Sequence, residues 1–328
     1  MDMKEYILDL PNQLKAAVKL ASEFFLPEDY RDVKNVVFLG MGGSAIGGDL
    51  TRAYLAEYAK VPIEVARDFN LPACVDSSTL VIAVSYSGNT EEVLAAYSTA
   101  KEKGAKLIAL TKGGKLAEMA KADGIPLFQF EYDSQPRAAL GYLFAPLVVI
   151  LEKLGLAVSI SGIDTIEIKF DEKQAQDLAK KLQGKIPFIC ASNFLIPVAR
   201  RFKNQLNENS KQMAVVEEIP EMFHNVVQGL DFPKMDSRLR GNDNPLTFVL
   251  FESNFYHERN SLRINILKDI FKDKKISFEN IVIEGESKLQ QLLNAIMLAD
   301  LTSYFLAELN EVDPTPVPTI DFMKKQLM

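Results

Sequence analysis

The apolar residues of this 328-residue chain come in short runs, each ending in a turn and each followed by a stretch of helical periodicity. Val36-Val37-Phe38-Leu39-Gly40 has the continuous apolar character of a strand buried on both faces, and Ala45–Tyr58 then reads as a helix. The alternation continues through strands predicted at 61–66, 80–86, 106–111 and 126–130, with helices at 90–103 and near 115–121. A long apolar helix over 137–154 closes this half. Parallel strands need crossovers long enough to hold a helix, so five strands with intervening helices predict a doubly wound parallel sheet.

Residues 155–170 contain two glycines and no helical period, which marks a passage between domains. The second half repeats the plan, with helices at 171–183, 195–207, 259–272 and 286–310 and strands at 186–191, 212–217, 245–251 and 276–284. A chain of this length suits two cores of roughly 150 residues each. The reading is an α/β protein of two doubly wound parallel-sheet subdomains in pseudo-duplication, spanning 1–154 and 155–328. Residues 233–244 (PKMDSRLRGNDN) break the pattern: they are polar and turn-rich, and are expected to be a mobile surface loop with Arg238 and Arg240 solvated.

Charge and composition remove several classes of function. A net charge of −7 without a basic stripe opposes a general nucleic-acid surface. No apolar run reaches the roughly 20 residues of a membrane helix. The opening Met1-Asp2-Met3-Lys4-Glu5-Tyr6 has no secretory pattern, so a cytoplasmic protein is expected. Cys74 and Cys190 lie in different halves in apolar sequence and are read as reduced core residues. With only His224 and His257 as histidines and no cysteine at zinc-like spacing, no metal is expected.

Two turns carry chemistry. Gly40-Met41-Gly42-Gly43-Ser44-Ala45-Ile46-Gly47-Gly48-Asp49 leaves a strand and opens a helix, so backbone can approach a ligand closely and the helix amides attract a phosphate. Alone, this turn equally fits a dinucleotide site or a purely steric turn. Ser85-Tyr86-Ser87-Gly88-Asn89-Thr90-Glu91-Glu92 stands in the same position after another strand, and its three hydroxyls suit a phosphate dianion. Gly43, Ser44, Ser85, Ser87 and Thr90 are therefore the predicted phosphate ligands, with capping of the following helix by Thr90 or Ser87 compatible with that role.

Read together, these two turns resemble those of the sugar isomerase (SIS) domain, and with the later segments the chain resembles the bifunctional phosphoglucose/phosphomannose isomerases over nearly its whole length. The resemblance implies flavodoxin-like, SIS-type subdomains, a hexose 6-phosphate substrate, no cofactor, and a homodimer with shared active sites. Aldose–ketose isomerisation needs ring opening and then a proton moved between C1 and C2 through an enediolate. Arg137, in Ser134-Gln135-Pro136-Arg137, matches the family's arginine and would stabilise the enediolate. Glu208 matches the catalytic glutamate; it ends a predicted helix, where the dipole disfavours an anion, and on the residues alone Glu217, Glu218 and Glu221 compete with it equally. His224 matches the histidine of ring opening, supplied in the family by the partner subunit. Near the C-terminus Thr315 and Lys324 match residues that line the site, with Val317 and Lys325 as rivals for those two places.

Two other readings stand beside the isomerase. One is a sugar-phosphate-binding regulator without turnover, although no basic helix-turn-helix segment flanks the domains. The other is a nicotinamide-dependent enzyme built on the first turn, with Glu64 or Asp68 on the ribose, which leaves the hydroxyl-rich turn unexplained.

Overall fold

A computed structural model describes residues 1–158, 162–231 and 245–327; the polar segment expected as a loop at 233–244 lies outside the described residues. The chain begins with α1 (Met3–Leu8) and α2 (Leu10–Glu23). Leu10, Leu14, Ala17 and Ala21 form the buried stripe that makes α2 amphipathic. There follow β1 (Asn35–Leu39), α3 (Gly42–Tyr54), β2 (Ile63–Ala66), β3 (Thr79–Ser85), α4 (Glu91–Glu102), β4 (Lys106–Thr111), α5 (Gly114–Asp123), β5 (Leu127–Gln129) and α6 (Leu140–Lys153). All five strands are parallel, in the order β2-β1-β3-β4-β5. The direction of winding reverses between β1 and β3, and a crevice for ligands opens at the carboxyl ends of strands at such a reversal. Every residue of β3 is buried, which is why it reads as an unbroken apolar run.

The chain divides into two compact units, Leu8–Glu167 on one side and Met1–Ile7 with Ile168–Met328 on the other. The division therefore falls at 167/168 rather than at 154/155. Beyond α6 the chain is still bonded into the first unit: Lys60 N donates to Leu156 O (2.8 Å) and Val158 N to Tyr58 O (3.0 Å). Residues 1–7 join the second unit through Lys4, whose ammonium donates to Glu172 at 2.7 Å and lies 5.3 Å from the centre of the Phe305 ring.

The second unit contains α7 (Glu172–Leu182), β6 (Ile186–Ser192), α8 (Ile196–Glu208), β7 (Val215–Ile219), the single turn α9 (Val226–Gly229), β8 (Leu246–Glu252), α10 (Glu258–Lys274), β9 (Ser277–Val282), α11 (Lys288–Leu309) and α12 (Pro318–Gln326). Its parallel sheet, β7-β6-β8-β9, repeats the plan of the first with four strands. The strand expected at 212–217 starts later, because Gln212 uses its side chain to bond Leu182 O (2.7 Å) and Lys185 O (2.8 Å) in the approach to β7. Cys190 is buried as expected, but Cys74 is exposed: it sits in the loop before β3, outside the core. Helix α11 is long and apolar enough to cross a bilayer, and 83% of its apolar window is buried inside the protein, which accounts for that composition.

At the centre of this unit Arg201 of α8 and Asp300 of α11 form a buried two-pronged ion pair, with Nε to Oδ1 at 2.9 Å and Nη2 to Oδ2 at 2.6 Å. Removing one partner strands the other charge in the core, which costs far more than the intact pair contributes. Arg201→Ala is expected to lower stability by about 3–5 kcal/mol, read as a shift in the urea midpoint, with Arg201→Met/Asp300→Leu losing much less.

Candidate active site

Both predicted turns stand at the carboxyl edge of the first sheet, one on each side of the reversal between β1 and β3. The first leaves β1 at Gly40, whose N–H still pairs with Ala66 O at the end of β2 (3.3 Å). Ser44, in the first turn of α3, is buried, and its hydroxyl accepts from the N–H of Tyr86 at 3.2 Å, so the two turns are bonded directly to each other. Neither α3 nor α4 has a side-chain cap, which leaves the positive ends of two helices at this edge for an anion.

Within the second turn the hydroxyls divide their work. Ser85 is wholly buried; its Oγ bonds Thr90 Oγ1 at 2.8 Å and accepts from Gly88 N at 3.1 Å, which folds the turn. Thr90 occupies the N-cap position of α4, but its hydroxyl bonds Ser85 instead of the helix amides, so the capping expected of it is not made. Ser87 is exposed and its hydroxyl accepts from Asn89 N at 3.2 Å. Gly88 has φ +70°, and a Cβ there would lie 1.7 Å from Gly113 O, so the loop after β4 presses on this turn as only glycine permits. That loop is further pinned by Lys115 N donating to Asn89 Oδ1 at 3.1 Å.

Arg137 lies in the same assembly. It belongs to a short 3-10 turn, Pro136–Ala138, ahead of α6, and it is only 3% exposed. A Cβ on Gly43 would stand 3.2 Å from both Arg137 Cα and Pro136 O, so the arginine turn packs directly on the first glycine turn. Tyr86 holds the approach to it: its hydroxyl lies 2.5 Å from Tyr132 O and 2.9 Å from Ser134 O, and accepts from Ser134 N at 3.0 Å. From behind, the buried Gln13 of α2 donates to Ala138 O (2.9 Å) and accepts from Gly141 N (3.0 Å). Gly43, Ser44, Ser85, Ser87, Thr90 and Arg137 are thus brought together, supported by Tyr86 and Gln13. Sequence reading misses both supports, because their partners lie 46 to 48 and 125 to 128 residues away.

In the second unit Glu208 is the half-buried last residue of α8. Lys211 donates to both Glu208 O and Asp313 O at 2.7 Å, which brings the proline-rich C-terminal segment beside the end of this helix. Thr315 is exposed just beyond, its N–H bonded to Asp313 Oδ1 at 2.8 Å, and Lys324 is exposed on α12, none of whose residues is buried. His224 is exposed at the end of the 3-10 turn Glu221–His224. Glu208 precedes β7 and His224 follows it, so the two residues lie at opposite ends of a five-residue strand, roughly 16 Å long. Of the competing carboxylates, Glu217 is pushed above its ordinary range, first by burial within β7 and then by Glu218 beside it.

Among the described residues no three His, Cys, Asp or Glu side chains are grouped to hold a metal. The order β2-β1-β3-β4-β5 is that of flavodoxin-like folds, not the 3-2-1-4-5-6 order of dinucleotide-binding ones, and Asp68 already accepts from Asn70 N at 3.1 Å.

Two substitutions test the build of this edge. Tyr86→Phe leaves Ser134 N and two carbonyls without their phenol and is expected to cost about 1–3 kcal/mol. Gly88→Ala combines a left-handed backbone with a collision on Gly113 O and is expected to cost about 2–4 kcal/mol, or to move the 111–114 loop. Urea unfolding measures both.

Residues 29–123 match the SIS domain, and residues 171–327 match the bacterial phospho-glucose isomerase C-terminal SIS domain. The chain is 39% identical over 340 residues to a bifunctional phosphoglucose/phosphomannose isomerase of Caldicellulosiruptor bescii, covering 99% of this chain and 98% of that one. It is 34% identical to the protein of the same description from Aquifex aeolicus, covering 92% and 93%. Among solved structures, tagatose-6-phosphate ketose/aldose isomerase of Escherichia coli superposes with a TM-score of 0.69 at 14% identity, covering 95% of this chain and 94% of that one, a likeness of fold. Matched over nearly its whole length at this identity, the chain belongs to the bifunctional phosphoglucose/phosphomannose isomerase family.

Proposed function

We propose that the protein interconverts glucose 6-phosphate, and also mannose 6-phosphate, with fructose 6-phosphate through an enediol. The observation that carries this reading is the direct joining of two phosphate-suited turns, Ser44 to Tyr86, with the Arg137 turn packed on Gly43. The phosphate takes the amide of Gly43 and the hydroxyls of Ser44, Ser87 and Thr90, while Ser44 N stays bonded to Met41 O and Ser85 keeps its turn closed. Neutral donors and helix ends bind a dianion without requiring a cation that the chemistry would then have to tolerate.

On this reading the Glu208 carboxylate removes the proton from C2 of the open-chain aldose and returns it to C1, with the oxygen-bound proton passing from O2 to O1 overall. Arg137 faces the negative charge that develops on the enediolate, where a fixed guanidinium stabilises the transition state more than the ground state. Thr315 and Lys324 line the sugar. His224 assists ring opening, and the separation of Glu208 and His224 along β7 supports its arriving from a second copy of the chain. The protein is accordingly a homodimer and works in the cytoplasm, where charged sugar phosphates are retained. The planar enediol, in which C2 has lost its configuration, is common to both aldose epimers, and acceptance of both requires the site to present C2 of either configuration to the base.

A regulator that binds without turnover uses the same turns but has no use for Glu208. Glu208→Gln is expected to lower kcat by about 10²–10⁴ with fructose 6-phosphate still bound, whereas wild-type protein that binds the ketose and never converts it supports the regulator. The shared site has its own test. Mixing Glu208→Gln with His224→Gln subunits after co-refolding should restore about a quarter of wild-type activity by random pairing. No recovery in confirmed mixed dimers contradicts a His224 supplied by the partner subunit.

A further inference from the structure

Asp49 closes the glycine-rich segment and is buried completely, yet the chemistry above gives it no task. Its carboxylate pairs with Arg67, which is one residue past β2. The same guanidinium nitrogen reaches Ala45 O, in the first turn of α3, at 3.5 Å. Ala66, immediately before Arg67, accepts from Gly40 N at 3.3 Å, where the glycine turn begins. Arg67 therefore grips this turn on two sides, through its own strand end and through α3. Its side chain remains 32% exposed while that of Asp49 is sealed.

An ion pair in this setting is a poor way to gain stability, because the desolvation of a buried carboxylate largely offsets its attraction to the cation, and an apolar pair of similar volume does as well. What the pair supplies is direction: two charged, hydrogen-bonding groups fix a register that apolar contact leaves free to slide. We propose that Asp49 and Arg67 are a positioning pair that sets the Gly42 and Gly43 amides and the Ser44 hydroxyl for the substrate phosphate. The inference rests on the isomerase reading for its substrate but on the coordinates of the turn for its mechanism. Arg137 packs on the same turn, at Gly43.

A positioning role predicts a split in the kinetic constants. Arg67→Met should raise KM for fructose 6-phosphate and the inhibition constant of inorganic phosphate in parallel, each about tenfold, with kcat within about twofold of wild type. Arg67→Lys should recover only part of the loss, since its ammonium sits on a shorter, more flexible stem than the guanidinium nitrogen that meets both Asp49 and Ala45 O. Because Arg67→Met leaves a buried carboxylate uncompensated, Asp49→Asn/Arg67→Met carries the same test in a chain without the stranded charge, and the double variant should be no worse in KM than either single one. Unchanged KM and phosphate inhibition with a lowered Tm would overturn the proposal and leave a structural brace. A fall in kcat with KM unchanged would overturn it too, by placing the effect in the chemical step. The inorganic phosphate arm, read as the rise in Tm that phosphate gives wild type and variants, needs no turnover. If wild type converts no sugar, the isomerase reading falls, and this arm alone decides whether the pair positions the turn.

Discussion

Tyr86 holds the carboxyl edge of the first unit together at both ends of the residue. Its amide donates to Ser44 on the first turn, and its phenol is fixed among the main-chain groups of Tyr132 and Ser134 on the way to Arg137. The ring is buried beside Phe130, which stacks on Tyr142 with centres 5.0 Å apart and planes 7° apart. Three segments that are distant in sequence thus share one rigid residue. A phosphate site needs donors fixed before the ligand arrives, because donors that must be ordered on binding lose affinity to that ordering.

The sheet decides where this assembly can stand. Both turns emerge from fully or nearly fully buried strands whose positions are set by parallel pairing, so the amides after β1 and β3 are as well located as the core itself. Glycine is required where segments collide, as at Gly88 under the 113 carbonyl and at Gly47 under the 143 carbonyl, and it lets the arginine turn pack closely on Gly43. The hydroxyls then separate into those that build, Ser85 and Ser44, and those nearer solvent, Ser87 and Thr90. A hydroxyl-rich turn is part scaffold and part ligand surface, and only three-dimensional bonding tells the two apart.

Period and punctuation made most of the architecture legible before any coordinates. Buried parallel strands are continuous apolar runs, so β1, β3, β4, β6 and β8 are found within a residue or two. Where local physics competes with pattern, reading fails: Gln212 continues the apolar-looking run toward β7 but is held by Leu182 and Lys185, so the strand begins at Val215. The boundary lies at 167/168, and the backbone bond from Val158 N to Tyr58 O that ties the chain beyond α6 to the first unit is one that no side-chain pattern encodes. The glycines and hydroxyls of the site are equally legible, since their chemistry is local. The supports are not, because Gln13, Tyr86 and the Asp49–Arg67 pair act across long loops through partners that only the fold brings near. The distance between Glu208 and His224 is likewise a property of topology: a helix running back along the sheet sets its last residue at the far end from the loop that follows the next strand.

The central claim is a proton transfer at C1 and C2 of a sugar held by its phosphate. It is tested most directly by incubating the wild-type protein with glucose 6-phosphate in D2O, with no nicotinamide added, and following the sugar by NMR. A carboxylate that takes the C2 proton exchanges it with solvent during some turnovers, so fructose 6-phosphate should appear with deuterium at C1, and the recovered aldose should carry deuterium at C2. Ketose formed without any solvent deuterium on carbon, or no ketose unless a nicotinamide is supplied, would contradict the account.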